Sequence, residues 1–265
     1  MTAETAIRRE LSDGVLTLEI NREHKRNALD QASVLHLVYL LEEAAVDESL
    51  RVVHLTAGGA DFCSGSDWVA SNTDTGRPRP ASLVRRLPLQ SHRLIELLLT
   101  IQLPVVATVR GVAAGLGCQL ALAADFAVAD ENATFWAPFT RRGFTPDSGA
   151  SWLMPRLVGL ARARRMLLLG EKVTGATAAE WGLIHEAVPE AELDARAQAL
   201  VASLAQGPTV ALGLTKQALL RSQEVPLARA LVEESFGLEL ASRTADFREG
   251  LAAFTDRRDP NFSGR

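Results

Sequence analysis

The sequence contains 265 residues, of which 47% are hydrophobic and 23% are charged, and its formal net charge is −4. These values are typical of an ordinary globular chain and give no reason to expect a nucleic acid or a membrane surface as a partner. The first ten residues contain no apolar core of a signal peptide. The longest apolar run, residues 94–109, is interrupted by Glu96, Gln102 and Pro104. We therefore expect a cytoplasmic protein without a membrane span.

Strands and helices alternate in the first part of the chain. Residues 14–20 alternate between apolar and polar side chains, which predicts a strand. Asp30 is a suitable N-cap for a helix that extends to about Val46, and residues 51–56 form the next predicted strand. A strand, a helix and a second strand in this order predict a right-handed parallel unit.

The central part of the sequence contains two glycine-rich turns, each placed after a buried strand. The first, residues 57–68, precedes a polar segment with two prolines and a long predicted helix over residues 82–102. The second turn follows a predicted strand over residues 105–109. It leads into residues 117–124, a helix that is apolar all round and is therefore predicted to be buried. A short strand over residues 126–129 comes next.

The rest of the chain is mainly helical. Residues 131–146 are predicted to be irregular and end in Pro-Asp-Ser-Gly, and helical spacing begins near residue 150. A shift of composition near residue 200 predicts a separate helical C-terminal part.

The start of the buried helix gives the first chemical signal. Gly115 and Gly117 form a tight bend there, so the first N–H groups of the helix lack intrahelical partners and can bind an anion or a developing oxyanion. One N–H from each glycine-rich turn would make an oxyanion hole. Two alternatives stay open: the glycines allow close packing only, or they form a dinucleotide site. The second match is weak because Leu120 replaces the third glycine of that fingerprint.

Motifs for other chemistries are missing from the sequence. It contains no Gly-x-Ser-x-Gly elbow and no Walker-type loop. Its five histidines are not spaced with cysteines or carboxylates as a metal site requires, so no metal is expected. Cys63 and Cys118 lie in small apolar surroundings, which indicates buried free thiols.

Several motifs in the same order carry a family resemblance over nearly the whole chain. The chain resembles the enoyl-CoA hydratase/isomerase (crotonase) superfamily in KRNAL (25–29), FCSGSDW (62–68), GVAAGLGCQLALAAD (111–125), PDSGASWLMPRLVG (146–159), TGATAAEWGLIHEAV (174–188) and the tail 246–265. The resemblance implies an α/β fold, the crotonase-like (ClpP/crotonase) spiral of β/β/α units. Residues 1–200 would form the core with the CoA and acyl site. Residues 201–265 would form a C-terminal helical trimerisation region, giving a homotrimer or homohexamer.

The resemblance also implies a substrate and its binding positions. The family binds acyl-CoA thioesters and stabilises an enolate with two backbone amides, which match those of Ser66 and Leu116 here. The remaining matched positions are expected to contact CoA: Lys25, Arg26 and Ala28 at the nucleotide, and Ser64, Asp67 and Trp68 along the adenine and pantetheine pocket. The alternative for Lys25 and Arg26 is a solvated turn. No metal or redox cofactor is implied, since CoA enters as part of the substrate.

Two departures from the hydratase pattern point to a different reaction. Hydratases of this family use two glutamates, and Gln119 and Phe139 stand at those positions, where they would line the acyl pocket. Neither side chain exchanges a proton at neutral pH. Asp147 matches the aspartate of the 1,2-epoxyphenylacetyl-CoA isomerase type and of related Δ3,Δ2-enoyl-CoA isomerases. Its alternative role is that of an N-cap at the start of the following helix.

The sequence therefore favours an acyl-CoA isomerase in which Asp147 is the base, since a single base suffices for an allylic proton shift. Three alternatives stay open. They are a non-catalytic acyl-CoA-binding or accessory protein, an enoyl-CoA hydratase with weak residual activity, and a hydrolase or dehalogenase with Asp147 as nucleophile. Neither the polar segment 71–81 nor the helix after it carries a motif that identifies the acyl group.

Overall fold

The computed structural model describes residues 5–67 and 81–265, and these residues form nine strands and ten α-helices. The strands are β1 (Ile7–Ser12), β2 (Val15–Ile20), β3 (Val52–Ala57), β4 (Val105–Val109), β5 (Val112–Ala114), β6 (Phe126–Asp130), β7 (Thr134–Trp136), β8 (Lys172–Thr174) and β9 (Glu186–Val188). The helices are α1 (Gln31–Ala44), α2 (Ser82–Arg86), α3 (Ser91–Thr100), α4 (Leu116–Ala123), α5 (Ala150–Leu168), α6 (Gly175–Trp181), α7 (Glu190–Ala205), α8 (Thr209–Ser222), α9 (Leu227–Ala241) and α10 (Ala245–Asp256).

The described strands form two sheets that are joined strand to strand. The larger sheet has the order β1-β2-β3-β4-β6-β9, and it is parallel except for the β1–β2 pair. The smaller sheet has the order β5-β7-β8. β4 continues into β5 and then α4, and β6 continues into β7 and then α5. This repetition confirms the predicted spiral of β/β/α units.

Strand β4 lies at the centre of the core because both of its faces are covered. All five of its residues are buried. Val106 packs with Val201 of α7, whereas Val105 and Val109 belong to the main hydrophobic cluster that also contains Leu116 of α4. A parallel strand covered on both faces reads as a continuous apolar run, which is why this strand was predictable.

Helix α1 confirms the prediction made from Asp30. The Asp30 carboxylate accepts a hydrogen bond from the Ser33 N–H at 2.8 Å, so Asp30 is the N-cap of the helix. β2 and β3, on either side of α1, pair in parallel as predicted.

The long helix predicted over residues 82–102 is wrong. The structure has two helices there, α2 and α3, separated by a 3-10 turn at Leu87–Leu89 that contains Pro88. Proline has no N–H to continue the helical ladder and its ring clashes with the preceding turn, so the helix breaks at that point. The apolar spacing continues across the break, which is why periodicity alone missed it.

The segment 131–146 is also less irregular than predicted, because β7 lies within it. A three-residue strand is too short to show a period of two. Its register is set by pairing with β5 and β8 rather than by its own sequence.

The C-terminal helices differ in how they are attached. α7 packs on β3, β4 and β6 of the large sheet, and α9 packs on α8. The predicted division at residue 200 falls inside α7, Glu190–Ala205, and stays a prediction.

Among residues 5–67 and 81–265, no single helix is long and apolar enough to cross a membrane. In that part of the chain, α7 and α8 pass this test when they are taken together, as a pair bent by 105°. The test considers length and composition alone.

Candidate active site

The two glycine-rich turns lie against each other. The Cys63 N–H donates to Val112 O at 2.9 Å, and the Ala114 N–H donates to Cys63 O at 2.9 Å. Gly65 has φ +105°, and a Cβ built on it would lie 2.9 Å from Ala114 O. Only glycine therefore fits at this position, because a side chain would separate the two turns.

The amides of Ser66 and Leu116 are backbone donors of these turns that no carbonyl of the described residues engages. Hydrogen bonds from Leu29 N–H to Gly65 O and from Asp67 N–H to Leu29 O hold the residues on either side of Ser66. Neither the Ser66 N–H nor the Leu116 N–H has a hydrogen-bond partner among the described residues. Leu116 is the first residue of α4, where the positive end of the helix dipole is located. Two free N–H groups on adjoining turns suit a developing oxyanion.

Two other glycines of these turns, Gly111 and Gly117, serve packing. A Cβ on Gly111 would lie 2.0 Å from Ala60 O, and a Cβ on Gly117 would lie 2.2 Å from Cys63 O. The packing alternative is therefore correct for these two positions. The buried cysteines next to them are free, as predicted, and burial raises the pKa of the Cys63 and Cys118 thiols to about 12.

The segment predicted to contact the CoA nucleotide lies beside the first turn. Lys25 is exposed at the end of a 3-10 turn, Glu23–Lys25, and Ala28 is partly buried. The Ser64 N–H donates to Arg26 O at 3.1 Å, and the Ser64 hydroxyl donates to Lys25 O at 3.4 Å. The structure thus brings together four of the predicted contact residues. Trp68 lies outside the described residues.

Arg26 already has a partner on the protein. Its guanidinium is 2.6 Å from the Asp61 carboxylate. The hydrogen bond from Arg26 is the main cause that lowers the pKa of Asp61 below its ordinary value. Asp61 also accepts the Val112 N–H at 2.9 Å, so this pair connects the nucleotide segment to the start of β5.

Asn27 was missed by sequence reasoning and organises this segment. It is 1% exposed and adopts φ +56°. Its side-chain NH2 donates to Gly58 O at 2.8 Å and to Asp61 O at 2.7 Å, and its side-chain oxygen accepts the Arg22 N–H at 2.7 Å. Asparagine tolerates the left-handed conformation, so an Asn within a polar turn was the available signal.

Asp67 is buried beneath the same segment. Its carboxylate lies 3.8 Å from the Arg22 guanidinium, which is also 2.9 Å from Asp30. Arg22 was not predicted as a site residue. It holds Asp67 and the N-cap of α1 together under the turn that carries Ser66.

The two positions that hold glutamates in hydratases are buried in this chain. Gln119 is 0% exposed, and neither its side-chain oxygen nor its nitrogen has a hydrogen-bond partner among the described residues. Phe139 is buried and packs edge to face with Phe144, with ring centroids 5.8 Å apart. Neither position supplies a titratable group.

Asp147 is partly buried in the turn before α5 and does not cap that helix. The N-cap residue is Gly149, and within the described residues no side chain makes a capping hydrogen bond there. Asp147 contributes only its backbone carbonyl, which accepts the Ala150 N–H at 3.0 Å. Burial raises the pKa of the carboxyl above its ordinary value, and Ser148 and the His92 imidazole act in the opposite direction.

Helix α4 contacts both α3 and α5, and Asp147 lies in the turn that leads into α5. A cleft of about 590 Å³ lies between α3, α5 and the end of α8. Its walls include His92, Ile95, Leu99, Gly149, Trp152 and Leu153. The charged residues Glu96, Arg221 and Glu224 also line it, and its lining includes none of the predicted catalytic residues Ser66, Leu116 and Asp147. Residues 5–67 and 81–265 contain no group of three or more His, Cys, Asp or Glu side chains that could hold a metal ion.

Comparisons with known proteins show the family of the chain. The family model described as Enoyl-CoA hydratase/isomerase matches residues 10–265. The chain is 37% identical to the 1,2-epoxyphenylacetyl-CoA isomerase of Escherichia coli (strain K12) over 252 residues, covering 95% of this chain and 96% of that protein. It is also 37% identical over 251 residues to the 2,3-dehydroadipyl-CoA hydratase of the same organism, with coverage of 95% and 96%. A crystal structure of an enoyl-CoA hydratase/isomerase from Cupriavidus metallidurans CH34 superposes with a TM-score of 0.90 at 31% identity, covering 100% of this chain and 98% of that one.

Proposed function

This chain belongs to the enoyl-CoA hydratase/isomerase family and is an enzyme of the crotonase superfamily; on that premise we propose that it shifts a double bond within an acyl-CoA thioester. The observation that carries this proposal is the state of Asp147, a partly buried carboxyl with a raised pKa that is not used to cap a helix. The equal identities to an isomerase and to a hydratase do not discriminate between the two reactions, so the argument depends on the site.

In the proposed first step, the Ser66 and Leu116 amides donate to the thioester carbonyl oxygen. Withdrawing charge onto that oxygen acidifies the carbon next to the carbonyl, and the same two donors stabilise the enolate that follows. Each such donor typically contributes about 2.7–4 kcal/mol in the transition state. These groups belong to the backbone, so the side chains of Ser66 and Leu116 are free to vary.

Asp147 is proposed to move the proton. Its carboxylate takes a proton from one carbon to give the dienolate, and the resulting carboxylic acid returns that proton to another carbon two bonds away. The pair of electrons moves along the conjugated system, so no group is added or lost. A raised pKa brings the carboxyl closer to the working pH, which favours a residue that must accept and then donate a proton.

The residues at the two glutamate positions support isomerisation over hydration. Addition of water needs a base for the water and an acid for the α-carbon, and Gln119 and Phe139 supply neither. The packed rings of Phe139 and Phe144 also keep that side of the site apolar. CoA would enter as part of the substrate, with its nucleotide near Lys25 and Ser64, and the proposed steps use no metal or redox group.

We further propose that the protein assembles as a homotrimer or homohexamer through its C-terminal helices. Leu219, Leu227, Phe236, Leu238 and Phe254 are 65–86% exposed in the single chain. Large apolar side chains gathered on one part of a surface indicate an interaction site.

Incubation with 3-hexenoyl-CoA in deuterated water tests the proposed reaction. The unmodified protein should give the 2-enoyl isomer, with deuterium in the product wherever the protonated Asp147 exchanges with the solvent before it donates to the second carbon. Asp147→Asn should lower that rate at least about 100-fold, with CoA-thioester affinity changed by no more than a few-fold. Asp194→Asn, at a side chain 68% exposed, is the matched control and should keep the parent rate.

Two results would contradict the proposal. Parent-like isomerisation by the Asp147→Asn protein would leave that carboxyl without a role in proton transfer. Hydration of crotonyl-CoA by the unmodified protein at the speed of a two-glutamate enzyme would assign it to the hydratases.

A further inference from the structure

The cleft between α3, α5 and α8 lies next to the turn that carries Asp147. Gly149, two residues after Asp147, lines this cleft together with Ile95 of α3. A Cβ built on Gly149 would lie 3.4 Å from Ile95 Cγ2, so the turn and the helix are in close contact there. Asp147 does not line the cleft. A proton on this carboxyl therefore needs a further group to reach the solvent of the cleft.

His92 lies on the face of α3 that contacts this turn. It precedes Ile95 by three residues, and residues three apart lie on the same face of an α-helix. The side chain is exposed and lines the cleft. Burial raises the pKa of Asp147, and the charge of the His92 imidazole acts in the opposite direction. The imidazole thus meets the solvent of the cleft and also acts electrostatically on the carboxyl.

Ser91 adds a second polar group at the start of α3. It precedes Ile95 by four residues and so belongs to the same face of the helix. It is 6% exposed, and its hydroxyl has no hydrogen-bond partner among the described residues. A buried hydroxyl of this kind is commonly satisfied by an ordered water molecule. This supports a hydrogen-bonding path, rather than an apolar seal, beside His92.

The proposed reaction gives such a path a purpose. While Asp147 carries the proton from the first carbon to the second, the substrate lies against the carboxyl, so solvent must approach from another side. An imidazole accepts and releases protons near neutral pH. The carboxylic acid would give its proton to the imidazole, which leaves a carboxylate and an imidazolium. The imidazolium would lose that proton to water, take another from the solvent and return it to the carboxylate.

We propose that His92 is a positioning residue that exchanges the proton of Asp147 with the solvent between the two halves of the reaction. The inference rests on the proposed function and deepens it. The α-proton is carried to the second carbon when transfer is faster than this exchange, and a solvent proton is delivered when the exchange is faster.

Isomerisation of 3-hexenoyl-CoA in deuterated water tests this proposal. Mass spectrometry of the 2-hexenoyl-CoA formed at low conversion gives the fraction of product that carries deuterium at C4. His92→Phe should lower this fraction at least about tenfold relative to the parent, because an acid–base group is removed. His36→Phe makes the same change at an exposed position of α1 and should keep the fraction of the parent.

A second variant tests the role of the imidazole without a bulky replacement. His92→Ala should show the same loss, and imidazole added to the buffer should restore the deuterated fraction, because the cleft is open to small solutes. A structural role of His92 would change the rate or the affinity, but it would not be rescued in this way. If His92→Phe does not fold, the result with His92→Ala decides.

The outcomes separate this inference from the proposed function. The role of His92 is overturned by a parent product without deuterium at C4, by a His92 variant that keeps the deuterated fraction of the parent, or by a loss in His92→Ala that imidazole does not restore. An equal loss in Glu96→Gln, which alters another side chain of the same cleft, also overturns it. In each case the parent still isomerises the substrate, so the proposed function stands. If the parent does not isomerise 3-hexenoyl-CoA, both fail.

Discussion

The two glycine-rich turns and the C-terminal helices are built on opposite principles. The turns are buried, contain few large side chains and present backbone N–H groups. The helices α8, α9 and α10 expose large apolar side chains, and α9 buries none of its residues in the single chain. Where function depends on backbone position, the constraint on sequence is steric and falls on glycine. Where it depends on association, the constraint is apolar area, which many residues can supply.

The attachment of the two regions differs in the same way. The turns are held by backbone hydrogen bonds between residues 63 and 114. The helix α8 is held by Lys216, whose ammonium lies 2.7 Å from Asp125 and donates to the carbonyls of Leu98 and Leu103. One side chain therefore supports much of the polar contact between this helix and the core.

The largest effect that we predict is a steric one in the turns. In Gly117→Ala the new Cβ would lie 2.2 Å from Cys63 O, so the start of α4 must move away from the first turn. We expect the free energy of unfolding in urea to fall by about 3–5 kcal/mol, with loss of isomerase activity in the folded fraction.

The control is Gly237→Ala in α9, where a Cβ would meet nothing within 4 Å. It should stabilise the chain by about 0.5–1 kcal/mol, because alanine is the better helix former. If Gly117→Ala and Gly237→Ala changed the free energy of unfolding equally, the contrast between the two regions would be refuted.

The next effect concerns the attachment of α8. Lys216→Met should lower the free energy of unfolding by about 2–4 kcal/mol, because it removes the cation that pairs with Asp125, which keeps the Val105 N–H, and the donor to two carbonyls. Adding Asp125→Asn should recover part of the loss, since no unpaired charge then remains, and chemical denaturation of both variants measures the difference. No recovery in the double variant would mean that the carbonyl contacts, rather than the ion pair, hold the helix.

The next prediction concerns assembly. A change in the free energy of association that is smaller than the changes above is enough to test it. Phe236→Asp and Phe254→Asp, made separately, place a charge at apolar positions that are 69% and 86% exposed in the single chain. Light scattering should show a trimer or hexamer for the parent and a lower mass for at least one variant. Glu239→Gln, on the same helix as Phe236, should leave the mass unchanged. A monomeric parent would rule out the proposed assembly.

The smallest predicted effect is a dependence of stability on pH at Asp147. Burial raises the pKa of this carboxyl in the folded protein, so the folded state binds the proton more tightly than the unfolded state does. Stability therefore falls as the pH rises through the folded-state pKa. Asp147→Asn should raise the melting temperature at pH 7, and that gain should disappear as the pH falls toward the ordinary pKa of 3.8. A gain that is constant from pH 3.8 to 7 would mean that the carboxyl is not desolvated.

The sequence was informative wherever local pattern and local chemistry coincide. The buried strand β4, the cap at Asp30 and the glycines of the two turns were all visible, because each follows from the residues at that place. The same holds for the absence of glutamates at positions 119 and 139. The break at Pro88 was also visible but was overruled by apolar spacing, which is a weaker signal than a proline inside a helix.

Only the tertiary structure decided what depends on distant partners. It engaged Arg26 with Asp61 and buried Asn27 as the residue that holds the nucleotide segment. The N-cap of α5 is Gly149 rather than Asp147, and the amide of Gln119 has no partner within the described part of the chain. Each outcome depends on which groups approach one another after folding. A single sequence records the side chains but not the enclosed space between them, and that space determines their burial and their hydrogen bonds.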